Sequence, residues 1–240
     1  MKIKCLYANG DSFVFGQGLD PEKITSENVY SFTELKRTNG FTGIICDTLG
    51  IDHYINNALP GGSNDRMLRT TIQDLIKLKQ TYKPEEVLVV LGFTESQRSE
   101  FYVMENRNYM PYMPSCPPNT LKSKKVWETY LSYCDDEIQS QYRYITNIIS
   151  LQSFLVANGF NYVFTETVQV ILGKGGFLHN HAIDQTLVNE IDINHYVNPS
   201  FSHYDSTLHL PRSECHHPLA PSHKLWAEYV LNFMKEKGIV

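Results

Sequence analysis

The chain has no excess of positive charge, no paired cysteines and no long apolar run. Lys and Arg number 21 against 26 Asp and Glu, a formal net charge of −5. A nucleic-acid binder needs a basic footprint to displace counterions from a phosphate backbone, and none is visible here. The five cysteines (Cys5, Cys46, Cys116, Cys134, Cys215) are odd in number, scattered and never spaced C-x-x-C. That excludes a disulfide framework and a thiolate zinc motif as leading readings, and the thiols are expected to be reduced. No stretch approaches the roughly eighteen apolar residues of a membrane span. The start, Met1-Lys2-Ile3-Lys4-Cys5-Leu6-Tyr7, runs directly into Asn9-Gly10 and leaves no room for a signal-peptide apolar region. A cytoplasmic location is the expectation, with no membrane or nucleic-acid partner.

What is present suffices for a core: 42% of the 240 residues are hydrophobic, 12% aromatic and 20% charged, ordinary for a globular protein. A length of this order fits a single α/β domain, residues 1–240, with no internal repeat or low-complexity linker. Residues 2–8 read as a strand ending in the turn Asn9-Gly10-Asp11-Ser12. A helix around 41–49, a strand at 53–57 and a Pro60-Gly61-Gly62 turn follow, after which Ser63 can cap a helix to about Lys79. The apolar run Glu86-Val87-Leu88-Val89-Val90-Leu91 suits a strand covered on both faces, hence a parallel sheet between helix layers. Residues 104–122 have no clean period and read as an irregular excursion, either a lid or substrate wall or a packed surface loop. A long helix with one break spans about 125–158 and stops at Asn158-Gly159, and 161–165 form the next strand. Residues 166–213 read as irregular, and an amphipathic helix runs from Ser222 to about Lys237.

In a parallel sheet, sites form beyond the carboxyl ends of the strands, where Gly10-Asp11-Ser12 lies. Alone the tripeptide is equally a turn or a cap. Near the other end stands Glu214-Cys215-His216-His217-Pro218, a loop leading into the helix with His223-Lys224-Leu225-Trp226-Ala227. A serine nucleophile needs a base and the base an orienting acceptor, and an acid three residues before a histidine can supply both from one loop.

These two blocks, at the two ends of the chain, resemble those of the SGNH (GDSL) hydrolase family. Asn57-Ala58-Leu59-Pro60-Gly61-Gly62-Ser63-Asn64 is similar to the family's second block, with Gly62 matching its oxyanion-hole glycine; the same residues also read as a Pro-Gly-Gly turn capped by Ser63. The third block departs: where the family has Gly-x-Asn-Asp, this chain has Gly92-Phe93-Thr94-Glu95. Losing one oxyanion donor can cost roughly 3 kcal/mol of transition-state stabilisation, so either Thr94 substitutes, Asn64 helps, or catalysis is impaired. The family's acid is aspartate and here it is Glu214; Pro218 marks His217 rather than His216 as the base.

The resemblance implies a three-layer α/β/α fold with a mostly parallel, flavodoxin-like sheet and cleavage of a carboxylic ester through an acyl-enzyme. Ser12 would attack, His217 exchange the proton and Glu214 orient it, with Ser12, Gly62 and Thr94 as oxyanion donors. Asp11, Asn64 and Arg98 are weaker substrate-facing candidates, although Arg98 suits an ion pair with Glu95 or Glu100 better. The family implies lipid, acetyl-carbohydrate or small acyl esters, and the absence of any segment resembling a long greasy channel favours a short acyl or O-acetyl group. No cofactor is implied. His179-x-His181 and His216-His217 lack a companion acid or cysteine spacing, so no metal site is expected. The blocks also resemble those of stand-alone members encoded by large tailed phages. The competing readings are a catalytically impaired SGNH-like protein for binding or assembly and, with less behind it, a metal-dependent phosphoesterase.

Overall fold

The computed structural model describes residues 2–20, 30–104, 107–118, 121–134, 136–168 and 183–240. Its centre is a five-stranded sheet of β1 (Cys5–Asn9), β2 (His53–Asn56), β3 (Val87–Phe93), β6 (Asn161–Glu166) and β7 (Tyr196–Val197). All four pairings are parallel, in the order β2-β1-β3-β6-β7. Counting only these strands the order is 2-1-3-4-5, the flavodoxin-like arrangement, whose topological switch lies between β1 and β3.

Alternation along the strands divides the core in two. Cys5, Tyr7, Val87, Val89, Leu91, Phe93, Tyr162, Phe164 and Tyr196 face one layer, built on α4 (Asn64–Leu78) and α6 (Glu137–Asn158). Leu6, Ala8, Leu88, Val90, Val163 and Val197 face the other, built on α1 (Ser12–Phe15), α3 (Phe41–Thr48), α8 (Phe201–Leu208) and α9 (Ala220–Glu236). A short α2 (Glu34–Asn39) precedes α3. This is the α/β/α sandwich expected from the sequence.

Local chemistry sets the helix boundaries. Ser63 caps α4 by accepting from the Arg66 N–H, and Met67, Thr71 and Leu75, four residues apart, form its buried stripe. Asp136 caps α6, which ends at Gly159 in the left-handed conformation, with the Phe160 N–H reaching back to the Leu155 carbonyl.

Two segments differ from expectation. The excursion after β3 contains regular elements: β4 (Ser99–Val103) pairs antiparallel with β5 (Asn108–Tyr112), and α5 (Leu121–Tyr133) follows. Phe101 and Tyr112 pack on Tyr130 of α5, with ring centroids 4.5 and 4.4 Å apart. Pro111 inside β5 hides the strand from pattern reading, because proline is tolerated only where its missing N–H is not needed. Residues 166–213, expected to be irregular, contain a short α7 (Gln185–Asn189), β7 and α8. A two-residue strand is too short to show a period, and α8 buries only Phe201 and Asp205 among its eight residues. The histidines 179 and 181 lie outside the described residues.

Candidate active site

Ser12 begins α1 at the carboxyl end of β1, next to the switch point. The chain turns sharply there because Gly10 has no side chain: a Cβ on it would lie 2.8 Å from the Gly92 carbonyl oxygen and 2.6 Å from Val14 Cγ2. Asp11 then caps α1, its Oδ1 accepting from the Phe13 N–H at 2.9 Å. Ser12 keeps 6% of its surface.

His217 comes from the other end of the chain. The loop before it is closed on itself, with the Ser213 N–H donating to the His217 carbonyl, the His217 N–H donating to Ser213 Oγ, and Arg212 bridging to Pro218. His216 takes up a left-handed φ of 62°, which carries the chain through the turn. The ring of His217 leans on Phe13, centroids 5.4 Å apart, and its Nε2 lies 2.8 Å from Ser12 Oγ across 205 residues of sequence. Its Nδ1 lies 3.0 Å from the carbonyl oxygen of Cys215. A carbonyl can only accept, so Nδ1 carries the proton and Nε2 presents a lone pair to the serine hydroxyl. Burial pulls the imidazole below its usual 6.5; buried Asp11 and the Cys215 carbonyl oppose this, and Arg98 and Arg212 reinforce it.

Glu214 is exposed, and Nδ1 faces Cys215 instead: the tight Ser213–His217 turn directs residue 215, two before the histidine, to the ring. The structure does not bring Glu214 to Nδ1, and the arrangement is a Ser–His pair backed by a main-chain carbonyl.

Two of the three expected oxyanion donors, Gly62 and Thr94, already have partners within the protein. The Gly62 N–H closes the turn by donating to the Leu59 carbonyl at 2.8 Å, so it is already engaged. Among the described residues, the N–H groups of Ser12 and of Gly61 in the same turn make no hydrogen bond. The Thr94 hydroxyl donates to Asp11 Oδ2 at 2.8 Å, as does that of Thr167, and its N–H donates to Asn64 Oδ1 at 2.9 Å. Asn64 returns its amide N–H to the Thr94 and Glu95 carbonyls. Thr94 and Asn64 thus clamp the end of β3 to the start of α4, and their side-chain donors are all engaged. A threonine hydroxyl is one bond from the Cβ and meets the neighbouring carboxylate before it can reach outward.

Asp11, fully buried, holds the ends of β1, β3 and β6 together through Thr94 and Thr167. Arg98 donates to Glu95 at 2.7 Å and stands 3.8 Å from Asp11, while Glu100 takes Arg69 in a two-bond pair. Asp11, Asn64 and Arg98 are thus tied to other residues of the protein, and Asp11 and Arg98 also act on His217 through their charges. Met113, after β5, would touch a Cβ placed on Gly61, at 3.6 Å, bringing the excursion against this turn. Thr167, Cys215 and Met113 carried no signal in the sequence, since only the strand order and the loop closure bring them here.

His223 of α9 is wholly buried, and its Nδ1 accepts the Phe41 N–H at 3.2 Å, capping α3, which has no side-chain cap of its own. Its proton therefore sits on Nε2, the opposite tautomer to His217, and burial holds its pKa down to about 3. Among the described residues no group of three or more His, Cys, Asp or Glu is placed to hold a metal ion, and no helix is long and apolar enough to cross a membrane.

Solved structures with this fold include esterases, all at low identity. A carbohydrate esterase described as having divergent catalytic and non-catalytic binding functions is 17% identical with a TM-score of 0.54, over 100% of this chain and 70% of its own. The carbohydrate esterase family 2 enzyme of Corynascus thermopiles (Myceliophthora fergusii) is 13% identical with a TM-score of 0.56, over 98% and 67%. The psychrotrophic esterase EstA from Pseudoalteromonas sp. is 15% identical with a TM-score of 0.51, over 97% of both chains. The likeness establishes the fold, that of the SGNH-type esterases. No curated protein matches the sequence. A family model does, over residues 23–240, a span that includes Gly62, Thr94 and His217 and begins after Ser12. By that match the chain belongs to DUF6071, a family of unknown function.

Proposed function

We propose that the chain is a serine hydrolase that cleaves a carboxylic ester, of a short acyl or O-acetyl group, through an acyl-enzyme. The observation that carries this reading is the 2.8 Å approach of His217 Nε2 to Ser12 Oγ with Nδ1 held by a carbonyl. Ser12 attacks the ester carbonyl while Nε2 takes its proton; the imidazolium, its Nδ1–H still on the Cys215 carbonyl, returns that proton to the departing alkoxide. Water then enters by the same route and releases the acid. The negative oxygen of each tetrahedral intermediate is met by the Ser12 N–H and by the Gly61 N–H, the donor that the turn leaves free in place of Gly62. No cofactor enters these steps. Carbohydrate esters are a reasonable substrate class because structures of the same fold act on them.

Labelling by a fluorophosphonate probe and hydrolysis of an ester panel from acetyl to decanoyl, together with acetylated sugars, test the reading. Wild-type protein should label and turn over the shortest esters fastest, and Ser12→Ala should lose labelling and at least about 10⁴-fold in kcat. Absence of Ser12-dependent labelling would leave the second reading, a binding or assembly protein that keeps the fold. That reading is favoured by one observation: Thr94 Oγ1 and the Gly62 N–H are both already bonded within the protein.

A further inference from the structure

Cys215 is exposed, yet its sulfur lies 3.2 Å from His217 Nδ1 and 3.2 Å from Ser213 Oγ. Its own carbonyl lies 3.0 Å from the same nitrogen. The Nδ1 proton is therefore shared between two acceptors of a single residue, in the position that the sequence suggests for Glu214. The cause is local. Ser213 and His217 are paired through their backbones, and the His216 N–H donates to the Ser213 carbonyl. With His216 at positive φ, the side chains of residues 215 and 217 are folded onto one side of a five-residue loop. Ser213 Oγ, which accepts the His217 N–H, also touches the sulfur, so the thiol is built into the loop that sets the ring.

We propose that Cys215 is the positioning residue of this site: carbonyl and sulfur together hold the His217 ring and its Nδ1–H tautomer against Ser12, which makes hydrolysis sensitive to modification of that one thiol. The inference rests on the reading of Ser12 and His217 as nucleophile and base. Sulfur is a soft, weak acceptor, so its removal should cost less than loss of a triad carboxylate while still acting on the turnover step. Placing a group on the sulfur is a larger insult, since an alkylated sulfur cannot keep both 3.2 Å contacts, to the ring and to Ser213 Oγ, unchanged.

The test uses the full chain in four forms: wild type, Cys215→Ala, Cys215→Ser and the double variant Cys116→Ala/Cys134→Ala, which removes the other two exposed thiols. Cys215→Ala should lower kcat about five- to tenfold with KM within about twofold, and Cys215→Ser, which restores a small acceptor, should recover most of it. Iodoacetamide, whose carbon bonds to the thiolate sulfur as iodide leaves, should abolish hydrolysis in wild type and in the double variant but not in Cys215→Ser. Nitrogen-resolved NMR of the imidazole should show the proton on Nδ1, with a His217 titration midpoint lower in Cys215→Ala, because an acceptor at Nδ1 favours the charged ring. Equal kcat and equal His217 titration in wild type and Cys215→Ala would overturn the proposal, as would alkylation that inactivates Cys215→Ser equally. If wild-type protein hydrolyses nothing, the esterase reading fails by itself, and the imidazole titration still decides whether Cys215 holds the ring.

Discussion

Thr94 shows how much one side chain's partner decides. Its hydroxyl reaches Asp11 at 2.8 Å, so the residue standing where the family places an oxyanion asparagine acts as a tie between strand ends. Thr94→Val keeps the shape and removes that bond. It should cost about 1–2 kcal/mol of stability in urea unfolding while changing kcat/KM by less than tenfold; a loss of 10²-fold or more at unchanged stability would instead mark a donor to the intermediate. At His217 the sign of the pH dependence follows from the lowered pKa. Catalysis needs the neutral ring, so kcat/KM should hold its plateau down to a pH below 6.5 before falling. Arg98 contributes to that lowering, and Arg98→Met should move the acid limb upward. A limb that stays in place would show that burial and Arg212 set it without Arg98. Ser12 and His217 were both legible in the sequence, from Gly10-Asp11-Ser12 and from Pro218 after the histidine. Which residue meets Nδ1 was not legible, because a three-residue spacing does not specify which way a five-residue loop turns.

At the scale of elements, α3 and α9 are joined by an unusual cap. Gly40 offers α3 no side chain, and His223 from α9 accepts the Phe41 N–H instead. The imidazole must stay neutral to accept, and its pKa of about 3 in the fold lies below the usual 6.5. Between these values the unfolded chain binds more protons than the folded one, so stability is full above about 6.5 and falls as pH drops through this window. His223→Gln should flatten that dependence at the cost of about 1 kcal/mol of capping at neutral pH, read from urea midpoints at pH 4.5 and 7.5. An unaltered slope would place the acid sensitivity elsewhere. The long helices and buried strands were legible because each repeats its pattern over several turns or residues, as the Met67, Thr71 and Leu75 stripe does. β7 and the β4–β5 hairpin were not, since two residues carry no period and Pro111 reads as a break.

Across the whole molecule, the sheet order places the site. The switch lies between β1 and β3, and at their carboxyl ends Asp11 receives Thr94 from after β3 and Thr167 from after β6. Asp11→Ala would strand the buried Thr94 hydroxyl, leave Thr167 only the Phe93 carbonyl and Arg98 without its second carboxylate, and should cost about 2–3 kcal/mol. Urea unfolding checks this, with loss of fluorophosphonate labelling expected in the same variant as the strand ends beside Ser12 loosen. A variant of wild-type stability would show that the three strand ends are held by the sheet alone.

The amino-acid sequence by itself determined the two helix layers and the parallel sheet, and it singled out Ser12 and His217 as a pair, because apolar period, caps and short motifs are local properties. Only the tertiary structure decided which groups those two residues meet. The partner of Nδ1, the donor left free in the Pro60-Gly61-Gly62 turn and the partner of the Thr94 hydroxyl each depend on backbone directions set by strands and loops far apart in the chain. A hydrogen bond is made or lost over a few tenths of an ångström, and no spacing of residue types specifies position that finely.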